Sequence, residues 1–307
     1  MREPMPYAGG TLDRAVSYRS DPRWIEAELA KPSARIVPMW SDKCLVGDPS
    51  SPWLARADAD AVIAAAPEVV FLGLDGGSGD AGAGSAVFAV DLSDLDEQAA
   101  LRLAGAAEAA DVRALFQGLR ADHAAGLAYA RGLLRWHREQ RFCGACGGVA
   151  DSRDAGHLRV CRDCGRLLFP RIEPAVIVLV EAPRVAGVPG RCLFGRHRGA
   201  PAGSFSTLAG FVEVGESLEE AARREIAEEA GVRVGPVTYR GSQPWPFPGG
   251  LMIGFRAVAV SAEIEVDGDE LVEARWFTRA EVCERHATGR RDSIGSRLIE
   301  EWLLEAG

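Results

Sequence analysis

The sequence predicts an α+β protein in three segments: an N-terminal α+β domain with a helical connector over 1–140, a small cysteine-bearing segment over 141–170, and a C-terminal mixed-sheet domain over 171–307. Three observations carry that reading. Apolar runs of strand length recur on both sides of the cysteines, punctuated by glycine and proline. Two Cys-x2-Cys pairs, Cys143/Cys146 and Cys161/Cys164, stand 14 residues apart. One charged segment after position 216 has helical rather than strand periodicity.

A chain of 307 residues is long enough for more than one core, at roughly 150 residues per domain. No segment runs to the ~18 uninterrupted apolar residues of a membrane helix, and the N-terminus lacks the apolar core of a secretory signal. A cytoplasmic protein with reduced or metal-bound cysteines is expected. The net charge of −9 argues against avid non-specific binding to a nucleic-acid backbone or an anionic membrane.

In chain order, RIVPMW (35–40), EVVFLGLD (68–75) and SAVFAVDL (85–92) read as strands, and DGGSGDAGAG (75–84) as a turn or loop. From Asp94 to about Arg141, alanine and leucine at helical spacing predict the connector. Beyond the cysteines, AVIVLVEA (175–182), RCLFGRH (191–197), PVTYRG (236–241), LMIGFRAVAV (251–260) and ARWFT (274–278) read as strands, and a helix closes the chain at 293–305. No internal repeat is visible.

The two cysteine pairs can surround one zinc with four thiolates, and Gly144, Gly147 and Gly165 supply backbone freedom for the knuckles. A pair of redox dithiols would want one pair at a helix N-terminus, and no convincing helix follows either. Four thiolates leave zinc no open position, so a structural site is expected. Cys44, Cys192 and Cys283 sit singly among apolar neighbours and are expected in the core.

In 210–232, Ser217 and Glu220 form a capping-box pattern that starts a helix at Leu218, and Gly231 is placed to end it. Leu218, Ala222, Ile226 and Ala230 make one apolar stripe. Glu225, Glu228 and Glu229 share a neighbouring face, where like charges repel. Such a face is either solvated or occupied by a cation.

The wider spacing bears on that choice. Gly210, five residues, Glu216, seven residues, then Arg224-Glu225-Ile226-Ala227-Glu228-Glu229-Ala230-Gly231-Val232 resembles the Nudix box at every defined position. The resemblance implies an α/β/α sandwich and a divalent-metal hydrolase of nucleoside diphosphates linked to another moiety. Carboxylate oxygens suit Mg²⁺ or Mn²⁺, which would neutralise a pyrophosphate and lower the pKa of a bound water. Glu225 and Glu229 are the expected ligands, Glu228 shares or bridges, and Glu216 and Arg224 pair with each other. Glu270 stands where family members often supply a further acidic group, as ligand or base.

Past the box the chain reads SQPWPFPGGLM (242–252). Pro244, Pro246 and Pro248 stiffen an extended loop, so Trp245 and Phe247 are either stacking surfaces for a flat base, with Gln243 on its edge, or core aromatics. The run resembles the motif of the NADH pyrophosphatase branch of the Nudix family, which also carries a four-cysteine zinc ribbon before its Nudix domain. That resemblance implies cleavage of NADH or NAD⁺ to nicotinamide mononucleotide and AMP, removal of NAD caps from RNA, and a homodimer. It also implies a nucleotide pocket involving Phe169, Ala209, Gly295 and the 243–250 loop through Gly249 and Gly250. Gly250 departs from the branch's serine and removes one hydroxyl donor. A diphosphatase for ADP-ribose or diadenosine compounds, or a nucleotide-sensing regulator, are the competing readings.

Overall fold

The computed structural model describes residues 5–47, 53–76, 84–115, 118–183, 187–266, 268–288 and 292–305. Most of the glycine-rich stretch expected as a turn over 75–84 lies outside them. The chain forms two compact units, Met1–Arg171 with Pro246–Gly249, and Ile172–Trp245 with Gly250–Gly307.

The first unit contains α1 (Pro22–Ala30), β1 (Arg35–Trp40), β2 (Lys43–Val46), β3 (Leu54–Ala55), α2 (Asp60–Ala65), β4 (Val69–Asp75), β5 (Ser85–Asp91), α3 (Glu97–Ala104), β6 (Glu108–Asp111), α4 (Val112–Leu115) and α5 (Ala121–Glu139). Its sheet runs β4-β5-β1-β2-β6, with β3 beside β1. Only β1 and β5 are parallel, Ile36 opposite Phe88, and both rings and branched chains there are fully buried. Three short antiparallel strands follow: β7 (Ala150–Arg153), β8 (Leu158–Cys161) and β9 (Leu167–Leu168).

The connector expected as continuous helix from Asp94 is interrupted by β6, whose residues pair with β2 from Lys43↔Asp111 to Val46↔Glu108. The sequence Glu-Ala-Ala-Asp has poor strand propensity, so the ladder with β2 decides the conformation. Gly105, left-handed, stops α3 just before it.

The second unit contains β10 (Glu173–Glu181), β11 (Arg191–His197), β12 (Leu208–Phe211), α6 (Leu218–Ala230), β13 (Val234–Trp245), β14 (Gly250–Ala259), β15 (Leu271–Thr278), α7 (Arg279–Thr288) and α8 (Ile294–Leu304). The sheet runs β13-β14-β10-β11-β15, with β12 beside β10 and β10 parallel to β14. Central β10 is almost continuously apolar because both its faces are covered. Val176, Val178 and Val180 pack with Ala222, Ile226 and Ala230 of α6. Ile177, pointing the other way, lies under Gly295 of α8. An α/β/α sandwich results.

Both units thread their six strands in the same order, with one helix between the third and fourth. The topology is repeated although no sequence repeat is visible. The helix differs: α2 has six residues, DAVIAA, whereas α6 has thirteen and carries the carboxylates. The first unit therefore keeps the sheet and lacks the acidic face.

Among the predicted core thiols, Cys44 and Cys192 are buried, and burial pushes both up, Cys44 to about 12. Cys283 is exposed on α7, contrary to expectation, because its apolar neighbour Val282 takes the inward position instead.

Candidate active site

Local sequence fixes the ends of α6. Ser217 Oγ accepts from the Glu220 amide while Glu220 accepts from the Ser217 amide, and Gly231 closes the helix in the left-handed conformation. The apolar stripe turns Ala222, Ile226 and Ala230 into the core. That rotation sets the acidic face: Glu225 and Glu229 are buried, and Glu228 is exposed.

Arg224 organises the near end of this face. Its Nε and Nη2 donate to the two oxygens of Glu216 at 2.6 and 2.9 Å. Nη1 donates to Glu225 and Glu228, both at 2.9 Å, and Nη2 also reaches the Phe211 carbonyl. The guanidinium holds the Glu216 carboxyl down at about 2. Burial raises Glu225 above the ordinary carboxylate range, opposed by Arg224. Glu216 and Arg224 thus clamp the 211–216 loop to the helix.

Gly210 has a steric reason. A Cβ there would lie 1.9 Å from the carboxyl carbon of Glu225, so the Glu225 carboxylate rests in space that only glycine leaves open. Ala209 beside it, on β12, pairs with Ile177 of β10. Phe211, which no motif singled out, follows 63% exposed, with its carbonyl on the Arg224 clamp.

At the far end of the face, donor atoms of Glu229, Glu270 and His197 all lie within 4.8 Å of one another. Glu229 is 2% exposed, whereas Glu270 is exposed. The structure therefore brings Glu229 and Glu270 together and adds an imidazole that no motif signalled. Glu225 and Glu228 do not join this group; Arg224 engages them.

The 243–250 loop corrects part of the expectation. Gln243 is fully buried; its Nε2 donates to the Asp292 carbonyl at 2.9 Å and its Oε1 accepts from the Ile294 amide at 2.7 Å. Its amide anchors the N-terminus of α8 and does not offer an edge to a base. Ser242 to Trp245 continue β13 as strand, with Trp245 opposite Gly250. Trp245 is half-buried, Pro244 and Pro248 are exposed, and Pro246 is buried. Phe247, half-buried, packs edge-on against Tyr7 at 5.4 Å and under the Arg131 guanidinium at 4.7 Å, inside the first unit. Gly249 and Gly250 both have ordinary rather than left-handed backbone, and a Cβ on Gly250 would meet the Trp245 carbonyl at 3.2 Å.

Gly295 lines a cavity with Phe205, Thr207, Arg285, His286 and Ser293. Thr207 Oγ1 would stand 3.0 Å from a Cβ at Gly295, so a small residue keeps that wall open. Phe169 is 62% exposed at the end of the cysteine segment.

The cysteines meet as the spacing predicts. The four Sγ atoms lie within 4.8 Å of one another, Cys143 to Cys164 at 3.7 Å and Cys146 to Cys161 at 3.4 Å. Zinc–sulfur bonds of ~2.3 Å in a tetrahedron put sulfurs about 3.8 Å apart, so the cage fits zinc. Gly147 and Gly165, at φ +77° and +69°, turn the two knuckles, and Gly144 is not needed in that conformation. The Ala145 and Cys146 amides hold the Cys143 thiol down at about 7, towards the thiolate that a metal requires.

Comparison with known proteins agrees with this geometry. The family model for the NUDIX domain matches residues 171–295, that for the NADH pyrophosphatase zinc ribbon domain matches 138–169, and that for the NADH pyrophosphatase-like rudimentary NUDIX domain matches 33–136. The last explains the repeated topology of the first unit. A Deinococcus radiodurans protein named NAD-capped RNA hydrolase NudC is 39% identical over 230 residues, covering 74% of this chain and 80% of that protein. A Pseudomonas aeruginosa protein of the same name is 41% identical over 177 residues, 58% of this chain and 60% of that one. The Macaca fascicularis protein named NAD-capped RNA hydrolase NUDT12 is 43% identical over 201 residues, 60% of this chain, and the chain spans only 43% of its length.

The second unit is a mixed sheet with helices on both faces, and the helix packed on central β10 carries the carboxylates. The chain belongs to the Nudix hydrolase family. Within it, the rudimentary domain, zinc ribbon and Nudix domain stand in the order of the NADH pyrophosphatase arrangement.

Proposed function

We propose that this protein hydrolyses the pyrophosphate bond of NADH and NAD⁺ to AMP and nicotinamide mononucleotide, reduced from NADH and oxidised from NAD⁺, and removes NAD caps from RNA by the same cleavage. The observation that carries the reading is the carboxylate face of α6, with Glu229 buried and brought against Glu270. The names of relatives that match the chain support the substrate class. Among the described residues no helix is long and apolar enough to cross a membrane, and four of the seven cysteines are grouped as metal ligands while none is in a disulfide. A cytoplasmic homodimer belongs to this reading.

Glu225, Glu228, Glu229 and Glu270 would hold Mg²⁺ or Mn²⁺, their oxygens being the hard donors those ions take. When bound, such ions would offset the charge of the pyrophosphate and make a coordinated water more acidic. Arg224 orients Glu225 and Glu228 and fixes the loop through Glu216. Glu270, exposed beside Glu229, is ligand or base. Cys143, Cys146, Cys161 and Cys164 would hold structural Zn²⁺.

Within the second unit, the nucleotide would be met by Trp245, Ala209 and Gly295, with Gly250 leaving out one donor. Trp245→Ala is expected to raise KM for NADH, because stacking holds ground and transition states alike. Base–aromatic stacking of about 1–3 kcal/mol corresponds to roughly a five- to 150-fold fall in kcat/KM. An unchanged KM would make Trp245 a packing residue only.

Gly210→Ala should push the Glu225 carboxylate from its seat. Displacing such a support is expected to weaken metal affinity and activity roughly ten- to a hundredfold. Mn²⁺ binding within twofold of the unsubstituted protein would show that Glu225 is not held there for the metal.

Steady-state kcat/KM for NADH, NAD⁺, NAD-capped RNA, ADP-ribose and diadenosine substrates tests the reading. The NAD-containing substrates should lead; a clear preference for ADP-ribose would favour the competing diphosphatase.

A further inference from the structure

The carboxylate reading leaves the imidazole beside Glu229 and Glu270 without a role. We propose that His197 is a nitrogen donor to the cation held by Glu229 and Glu270, making a mixed imidazole and carboxylate site that favours Mn²⁺ over Mg²⁺. This deepens the function proposed above and rests on its carboxylate site.

The three groups come from three elements: His197 ends β11, Glu229 lies in the last turn of α6, and Glu270 immediately precedes β15. No helical or strand periodicity produces such a meeting, yet their donor atoms lie within 4.8 Å of one another. Metal–donor bonds of about 2.1 Å put opposite ligands about 4.2 Å apart, so small side-chain rotations bring all three onto one ion.

The backbone builds this proximity. The β11–β15 ladder is regular from Arg191↔Thr278 to Arg196↔Glu273, then skips Val272 so that His197 faces Leu271. A bulge at that point re-aims the strand end. One residue on, the Arg198 amide donates to the Glu270 carbonyl at 2.9 Å, and Arg198 Nε donates to the Asp269 carbonyl at 2.7 Å. The segment carrying Glu270 is thus tied to the strand end carrying His197. Glu229, almost wholly buried, comes up from beneath.

Charge and donor chemistry point the same way. Two carboxylates balance the charge of one divalent cation, and an imidazole nitrogen is a further donor beside them. Mg²⁺ takes oxygen donors and keeps its waters, whereas imidazole nitrogen suits first-row transition ions. Exchanging one oxygen donor for nitrogen therefore costs Mg²⁺ more than Mn²⁺. The competing role for His197 is an ion-pair partner of the two glutamates that never touches the metal.

The test loads the full chain with one equivalent of Mn²⁺ and no nucleotide, and records electron spin-echo modulation from nitrogen bound to the metal. The unsubstituted protein should show imidazole modulation that changes when its histidines are ¹⁵N-labelled, a readout that needs no variant. His197→Asn should abolish it and weaken Mn²⁺ binding about tenfold, with a smaller change for Mg²⁺ in competition. Mn²⁺ binding that depends on Glu229 but shows no nitrogen modulation would overturn the assignment of His197 and leave the carboxylate site standing. Mn²⁺ binding indifferent to Glu229→Gln would overturn both.

Discussion

Glu229→Gln is expected to lower kcat for NADH by about three orders of magnitude, equivalent to about 4 kcal/mol of barrier, while the protein stays folded. The amide keeps the shape of the side chain but cannot replace an anionic oxygen on a divalent cation. The position is 2% exposed, so an ionised carboxylate there is held at a desolvation cost that a neutral amide avoids. Thermal stability should therefore hold or rise as activity falls, the opposite of the pattern for a group that serves packing. Glu228→Gln, on an exposed side chain held by Arg224, should have a smaller effect. Near-full activity of Glu229→Gln with Mg²⁺ present would remove the carboxylate face from the mechanism.

Cys161→Ser is expected to act through stability. Its sulfur is buried and stands 3.4 Å from that of Cys146, and its carbonyl anchors the knuckle turn at Gly165. Zinc binding in such a cage is folding free energy, about 10–16 kcal/mol in isolated zinc modules. Loss of one thiolate should release zinc and lower the melting temperature of the region containing β7, β8 and β9. Freshly purified protein should hold close to one zinc per chain through dialysis, and the variant far less. Active protein without zinc would contradict the structural role.

Legibility in the sequence followed the range of the interactions involved. The ends and rotation of α6 were readable because the capping box, the left-handed glycine and the apolar stripe act within a few residues. The cysteine cage was readable because short knuckles put their own ligands in place. β6 was not, since Glu108–Asp111 becomes a strand only by pairing with β2. The repeated topology escaped because a sheet order is kept by backbone pairing, without shared side chains. Gln243 was misread for a related reason. A polar residue in a proline-rich motif looks available until the amide at the start of α8 is found to need it. His197 gave no signal because Glu229 and Glu270 reach it from elements distant in the chain.

This chain is proposed to split a dinucleotide at its pyrophosphate by a metal-dependent hydrolysis. Product analysis of the purified protein with NADH, with Mg²⁺ or Mn²⁺ and again after chelation, tests it most directly. Reduced nicotinamide mononucleotide and AMP should form in equal amounts with metal present, and NADH should stay intact without it. Intact NADH under both conditions, or release of nicotinamide with ADP-ribose, would contradict it.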